Sequence, residues 1–148
     1  MRYFAYGSNL HWPQMQSRCP SAQFVCAARL ADYQFGITRH SRLRGCGTAN
    51  VFPVQGKEVW GAVYDVSDAD LLVMDGFEDG YRREILPVHP TGNVYGPMSA
   101  LVYLAEIEAS VPLPSAEYKQ LILQGAQHWQ LPRSYLALLE AIQCAQGT

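Results

Sequence analysis

Among the groups able to move a proton, Glu78 stands out first. It follows Phe77 and lies between Gly76 and Gly80, so an apolar neighbour and a pliable backbone surround its carboxyl group, and loops holding such residues are common places for function. Removal from water would disfavour the charged form and raise the pKa, and the adjacent acid Asp79 would push the same way. A carboxyl group tuned in this manner can both take and return a proton near neutral pH. The residues alone equally allow a plainer reading, a solvated acid in a loop that also carries Asp75 and Asp79. Glu84 and Asp65 sit on predicted strands beside apolar residues and are weaker contenders.

The second cluster is Tyr6, Gly7, Ser8 and Asn9. Glycine at a strand end lets the backbone turn so that successive N–H groups point into one concavity, a nest suited to a carboxylate or a developing oxyanion. A turn that merely caps the following residues has the same composition, and on local composition it is the simpler reading. Ser8 does not read as a nucleophile, because a nucleophile elbow needs G-x-S-x-G with ordered histidine and acid partners. Trp60, Tyr64, Tyr103 and Tyr118 read as core or pocket-wall residues.

Composition removes several other chemistries. The histidines at 11, 40, 89 and 128 lack the i, i+4 pairing or nearby cysteine of a metal site, so no metal is expected. Cys19, Cys26, Cys46 and Cys144 show no C-x-x-C spacing, and the N-terminus has no basic-then-apolar signal segment. Reduced thiols and a cytoplasmic location are the expectation. A formal net charge of -2 offers no general field for phosphate backbones or anionic lipids, and no apolar run has the length of a bilayer span. A soluble protein with neither nucleic acid nor membrane partners is expected. The one basic cluster, Arg39, His40, Arg42 and Arg44, lies among Ser and Gly residues and reads as a solvated loop.

These residues must be positioned by a chain of 148 residues, the usual size of one domain. Arg2 to Tyr6 reads as a first strand ending at the Gly7 turn, and Pro13 to Arg18 as a short helix. Phe24 to Leu30 and Tyr33 to Thr38 read as extended, and Val51 to Val54 and Val59 to Val66 as two strands joined by a hairpin turn at Gln55, Gly56 and Lys57. Ser67 with Asp68 and Asp70 gives an N-cap signature, Leu71 and Met74 share a helical face, and Gly76 marks the stop. A short helix thus delivers Glu78 just past its end. Tyr81 to Val88 and Ala100 to Leu104 resume the β pattern, and two amphipathic helices, over Tyr118 to Trp129 and Tyr135 to Ile142, close the chain. Six or so short strands with flanking helices predict a single α+β domain, its strands curled into a small mixed β-barrel because so many edges need covering.

Taken together, the segments resemble the γ-glutamylcyclotransferase family over nearly the whole chain. Tyr3-Phe4-Ala5-Tyr6-Gly7-Ser8-Asn9-Leu10 looks like the family's substrate-binding loop almost letter for letter. Pro20-Ser21-Ala22 leading through Ala28-Arg29-Leu30, then Glu58-Val59-Trp60-Gly61 with Val63, then Tyr118-Lys119 with Gly125-Ala126 and Leu131-Pro132, are similar to further family segments in the same order. Met74-Asp75-Gly76-Phe77-Glu78-Asp79 occupies the place of the family's Leu-Asp-x-x-Glu-Gly segment, which carries the catalytic glutamate. Two departures border it: Asp79 stands where glycine is usual, and the link from Glu78 to Tyr81 is shorter than in the animal enzymes.

The resemblance implies a small mixed barrel with flanking helices and a cyclisation that turns a γ-glutamyl amino acid or related compound into 5-oxoproline and a free amine. It implies Glu78 as general acid and base, Tyr6, Gly7, Ser8, Asn9 and Leu10 as the substrate-binding loop, Tyr103 and Tyr118 as further pocket residues, and no cofactor. Glutathione or γ-glutamyl-amines remain alternative substrates, and a hydrolase or a non-catalytic module that binds a small acidic metabolite remain alternative functions. Some family members are dimers, which leaves a homodimer open.

Overall fold

A computed structural model describes residues 1–92 and 96–145. Its frame is a pair of strands far longer than the sequence suggests. β2 (Gln23–Ser41) and β3 (Cys46–Asp65) run antiparallel and are joined by a tight turn over 42–45. The hairpin expected at Gln55, Gly56 and Lys57 does not exist, because β3 passes through those residues. Gly56 takes a φ of 83° opposite a bend in β2 where Asp32 has a φ of 63°, and the Gly56 N–H donates to Asp32 Oδ1 at 3.0 Å. A glycine in the left-handed region serves a kink within a strand as readily as a hairpin turn. The same kink merges the extended segments around Phe24 to Leu30 and Tyr33 to Thr38 into one strand. Among the described residues there are five strands where six or so are expected.

β1 (Arg2–Ala5), β4 (Tyr81–Pro90) and β5 (Met98–Ala105) complete a sheet in the order β1-β3-β2-β4-β5 that closes on itself. β5 meets β1 in parallel through Leu101 and Tyr3, and the other pairs are antiparallel. The α+β class and the mixed barrel are as the sequence predicts, and closure pairs the first and last strands of the sheet. Phe4, Val59, Val63 and Tyr64, on the two faces of the sheet, are buried in the core with no exposed surface.

Among the described residues four helices flank the barrel: α1 (Trp12–Arg18), α2 (Asp68–Phe77), α3 (Ala116–His128) and α4 (Arg133–Glu140). α2 starts with a capping box in which Ser67 Oγ accepts the Asp70 N–H and Asp70 Oδ2 accepts the Ser67 N–H, both at 3.0 Å. Its buried Leu71 and Met74 are the pair that the helical spacing predicts. α2 runs one residue past Gly76, so that Glu78 is its C-terminal cap. α3 presses against a single 3₁₀ turn at Ser8–Leu10. A Cβ at Gly125 would lie 2.2 Å from the Leu10 carbonyl carbon, so only glycine permits this approach.

Candidate active site

The first turn is held from behind. Tyr64 Oη donates to the Asn9 carbonyl at 2.8 Å, and Trp129 Nε1 donates to the Leu10 carbonyl at 3.0 Å. The Leu10 N–H is used within the turn, donating to Gly7 O at 3.0 Å, and the Leu10 side chain is wholly buried in the core. The N–H groups of Ser8 and Asn9, at the start of the helical turn, have no partner within it. Asn9 is buried too, its Nδ2 donating to Tyr3 Oη at 3.1 Å and its Oδ1 accepting from Gln14 Nε2 and Arg18 Nη1, each at 3.0 Å.

Glu78 arrives from the opposite wall. Its own N–H donates to Met74 O at 3.0 Å and Asp75 O at 3.3 Å, and Met74 is fully buried, so the last turn of α2 is anchored in the core. The carboxyl group faces a small cavity of about 50 Å³, space for only a few water molecules. What surface Glu78 retains opens onto that cavity, with protein packed densely around it. This confinement raises its pKa to about 7, against the opposing pull of Arg18 and Arg44 and with a smaller upward push from Asp75. Among the described residues no side chain hydrogen-bonds to the carboxylate. Asp79, expected to be the acidic neighbour that matters, is exposed, because one further residue beyond the helix cap turns its side chain outward.

The cavity brings together Tyr6, Gly7, Ser8, Asn9, Tyr103, Tyr118 and Glu78. Leu10 lies outside it. Each tyrosine is fixed: Tyr6 Oη donates to Tyr103 O at 2.6 Å, Tyr103 Oη donates to Asp75 Oδ1 at 2.7 Å, and Tyr118 Oη accepts the Ala49 N–H at 2.9 Å. Having accepted from Ala49, the Tyr118 hydroxyl keeps its own proton to offer elsewhere. Burial raises the pKa of Tyr6 and Tyr118 well above the usual tyrosine value, so both are neutral donors at working pH.

Thr48, Ala49, Tyr81 and Arg44 also line the cavity and escape sequence reasoning, and the last two carry the polar groups of most consequence. Tyr81, read as the mere start of a strand, directs its hydroxyl to Ala49 O at 2.6 Å. Arg44, read as part of a solvated loop, reaches inward instead. Its Nη2 donates to Gln14 Oε1 at 3.0 Å and Ser8 Oγ at 3.3 Å, and its guanidinium lies 5.0 Å from the Tyr118 ring centre. Arg39 is likewise engaged, donating to Asp79 O at 3.0 Å and pairing with Glu108 at 3.5 Å, while Arg42 is exposed. Arg39 lies on β2 while Arg42 and Arg44 lie in the tight turn, where successive side chains take different directions, and that division is legible only once the hairpin is known.

The model of the family described as "Gamma-glutamyl cyclotransferase, AIG2-like" matches residues 3–130, most of the described barrel and both walls of the cavity. The chain belongs to that family. It is 35% identical to the γ-glutamylcyclotransferase of Homo sapiens, the match covering 95% of this chain and 78% of that protein, and 34% identical to that of Mus musculus over the same shares. A solved structure named "Gamma-glutamyl cyclotransferase" superposes with a TM-score of 0.90 at 32% identity, covering 100% of this chain and 90% of the other. As an enzyme of this family, the chain places its Met74 to Asp79 segment at the end of α2 and its Tyr3 to Leu10 segment at the end of β1, the two ends that face each other across the cavity. Among the described residues, no helix is long and apolar enough to cross a membrane.

Proposed function

We propose that this enzyme converts a γ-glutamyl amino acid or a related γ-glutamyl compound to 5-oxoproline and a free amine, with Glu78 moving the proton. One observation carries the reading: a confined carboxyl group with a pKa near 7 shares a cavity with the first turn. The substrate supplies both nucleophile and electrophile. Its α-amine nitrogen attacks its γ-carbonyl carbon, a five-membered lactam closes, and the bond from that carbon to the leaving nitrogen breaks.

The α-amine is protonated near neutral pH and cannot attack until a base removes a proton. Glu78 in its charged form accepts it, the resulting neutral acid gives it to the departing nitrogen, and the again charged Glu78 takes the second proton shed by the attacking nitrogen as it becomes the lactam amide and passes it to the released amine. A pKa close to working pH serves both directions, the usual condition for efficient general acid–base catalysis. The unpartnered N–H groups of Ser8 and Asn9 are suited to hold an oxygen that becomes negative, an interaction worth about 3 kcal/mol where a donor is aimed at the oxyanion. Tyr118, with a proton to donate, is placed to assist. Folding the γ-glutamyl chain so that its two ends meet supplies effective concentrations on the order of 10⁵ M or more.

Mass spectrometry of products from γ-glutamyl compounds tests the proposal. Cyclisation yields 5-oxoproline and the amine; hydrolysis would yield glutamate, and a binding module would yield neither. Glu78→Gln is expected to retain the fold and substrate binding while lowering kcat by about 10²-fold or more, the scale for a positioned base. Glutamate as the product, or full activity in Glu78→Gln, would overturn it.

A further inference from the structure

We propose that Arg44 sets which leaving amines the enzyme accepts, by pairing with a carboxylate carried on the departing group. The inference rests on the cyclotransferase reading above and narrows its substrate class to γ-glutamyl compounds whose leaving nitrogen sits beside a free carboxylate.

Arg44 feels the Glu78 carboxylate across the cavity but has no carboxylate within ion-pair distance. Among the described residues it makes no salt bridge, and its hydrogen-bond partners, Ser8 Oγ and Gln14 Oε1, are both neutral. Among the described residues Arg29, Arg39, Arg82 and Arg83 have carboxylate partners, Arg2, Arg18, Arg42 and Arg133 share the lack of one, and Arg44 is the unpaired arginine that lines the cavity. A half-buried guanidinium lining a cavity, over an aromatic ring and without an ion-pair partner, is a site suited to planar, bidentate recognition of a carboxylate. Arg18, on the same side of the cavity, is committed to Asn9 Oδ1 and lies 4.0 Å from the Phe77 ring centre, so it belongs to the support of the first turn.

Position decides which carboxylate Arg44 meets. The cavity floor is built of Tyr3, Tyr6 and Tyr103, each less than a tenth exposed. Arg44 enters from the β2–β3 turn, whose Arg42, Leu43 and Gly45 are all exposed, and so reaches the cavity from its rim. A γ-glutamyl head that reaches Glu78 and the first turn occupies the floor. The part of the substrate left at the rim is the amine that departs. A leaving group seated beside Arg44 competes with Ser8 and Gln14 for its N–H groups. A leaving group bearing a carboxylate replaces those hydrogen bonds with charged ones, whereas a neutral amine leaves the guanidinium with weaker partners than before.

The experiment compares γ-glutamyl-alanine with γ-glutamyl-alaninamide, which differ only in that carboxylate, and reads the ratio of their kcat/KM values. In the wild-type enzyme the ratio is expected to favour the carboxylate by roughly 10- to 100-fold, the range for a hydrogen bond between charged groups. Arg44→Met should bring the ratio to within about threefold of unity, and Arg44→Lys, which keeps the charge but not the fork, should fall between. A wild-type ratio near one, or a preference that survives in Arg44→Met while both rates fall together, would overturn the proposal. Because the wild-type ratio is itself decisive, a variant that fails to fold does not shelter it. Absence of 5-oxoproline from both compounds with the wild-type enzyme is a different result: it would strike the cyclotransferase reading beneath the proposal and remove both.

Discussion

The last turn of α2 presents two carboxyl groups, three residues apart, to opposite environments. Asp75 faces outward, where Arg83 grips both its oxygens and Tyr103 Oη donates to one of them. Those partners hold its pKa below the usual carboxylate value, with the Arg83 contact the largest cause. Glu78 faces inward, with burial as the dominant influence, and is pushed up to about 7. One helix end therefore carries a structural acid that stays charged and an acid poised to exchange a proton. The chemistry of an acidic residue is set by what surrounds it, and partners and desolvation pull in contrary directions.

The two sites should consequently respond to substitution with opposite signs. The folded-state pKa of Glu78 lies above its ordinary value of 4.5, so the folded chain binds more protons than the unfolded chain between those limits. Stability is lost as pH rises through that window and levels off above it. Glu78→Gln, which is neutral throughout, should be more stable than the wild type at pH 8, by up to about 3 kcal/mol, with the advantage gone by about pH 4. Denaturant titrations at both pH values would show this. Equal stabilities at pH 8 would mean that Glu78 is solvated like any surface acid.

Asp75→Asn sharpens the contrast with a smaller effect. Its folded pKa is depressed, so its contribution is present at neutral pH and lost as the carboxyl protonates in acid; for an exposed pair this amounts to about 1 kcal/mol or less. The variant should be slightly less stable at pH 7 and indistinguishable from the wild type at low pH. Weakening of the Tyr103 contact, from a charged to a neutral acceptor, should lower kcat/KM by no more than about fivefold, the value of one hydrogen bond. Removal of a like charge near Glu78 should also move the acidic limb of the pH–rate profile to lower pH. A limb that moves up, or does not move while activity falls, would separate Asp75 from the electrostatics of the site.

Much of this arrangement was legible in the residues, and the exceptions have physical reasons. Ser67 and Asp70 announce the start of α2 because a capping box is a local interaction, and Leu71 and Met74 give its buried face by spacing alone. The terminal helices are equally local. The kink at Gly56 reads as a hairpin because both need a left-handed glycine, and only the long-range pairing of β2 with β3 tells them apart. Glu78 and the Tyr6 to Asn9 turn each draw attention singly, but the fold is what sets them across one cavity. Which of Asp75 and Asp79 influences Glu78 depends on rotation about the helix end, and a shift of one residue in the stop reverses the answer. Arg44 was hidden in a charge cluster that the fold divides between the end of β2 and the tight turn after it.

The central claim is that Glu78 titrates near neutrality inside the cavity, and an NMR titration of glutamate side-chain carboxyl carbons in ¹³C-labelled protein addresses it directly. One resonance, absent from Glu78→Gln, is expected to show its midpoint at about 7, matched by a limb in the pH dependence of kcat/KM. A midpoint for that resonance at the ordinary glutamate value would contradict the account.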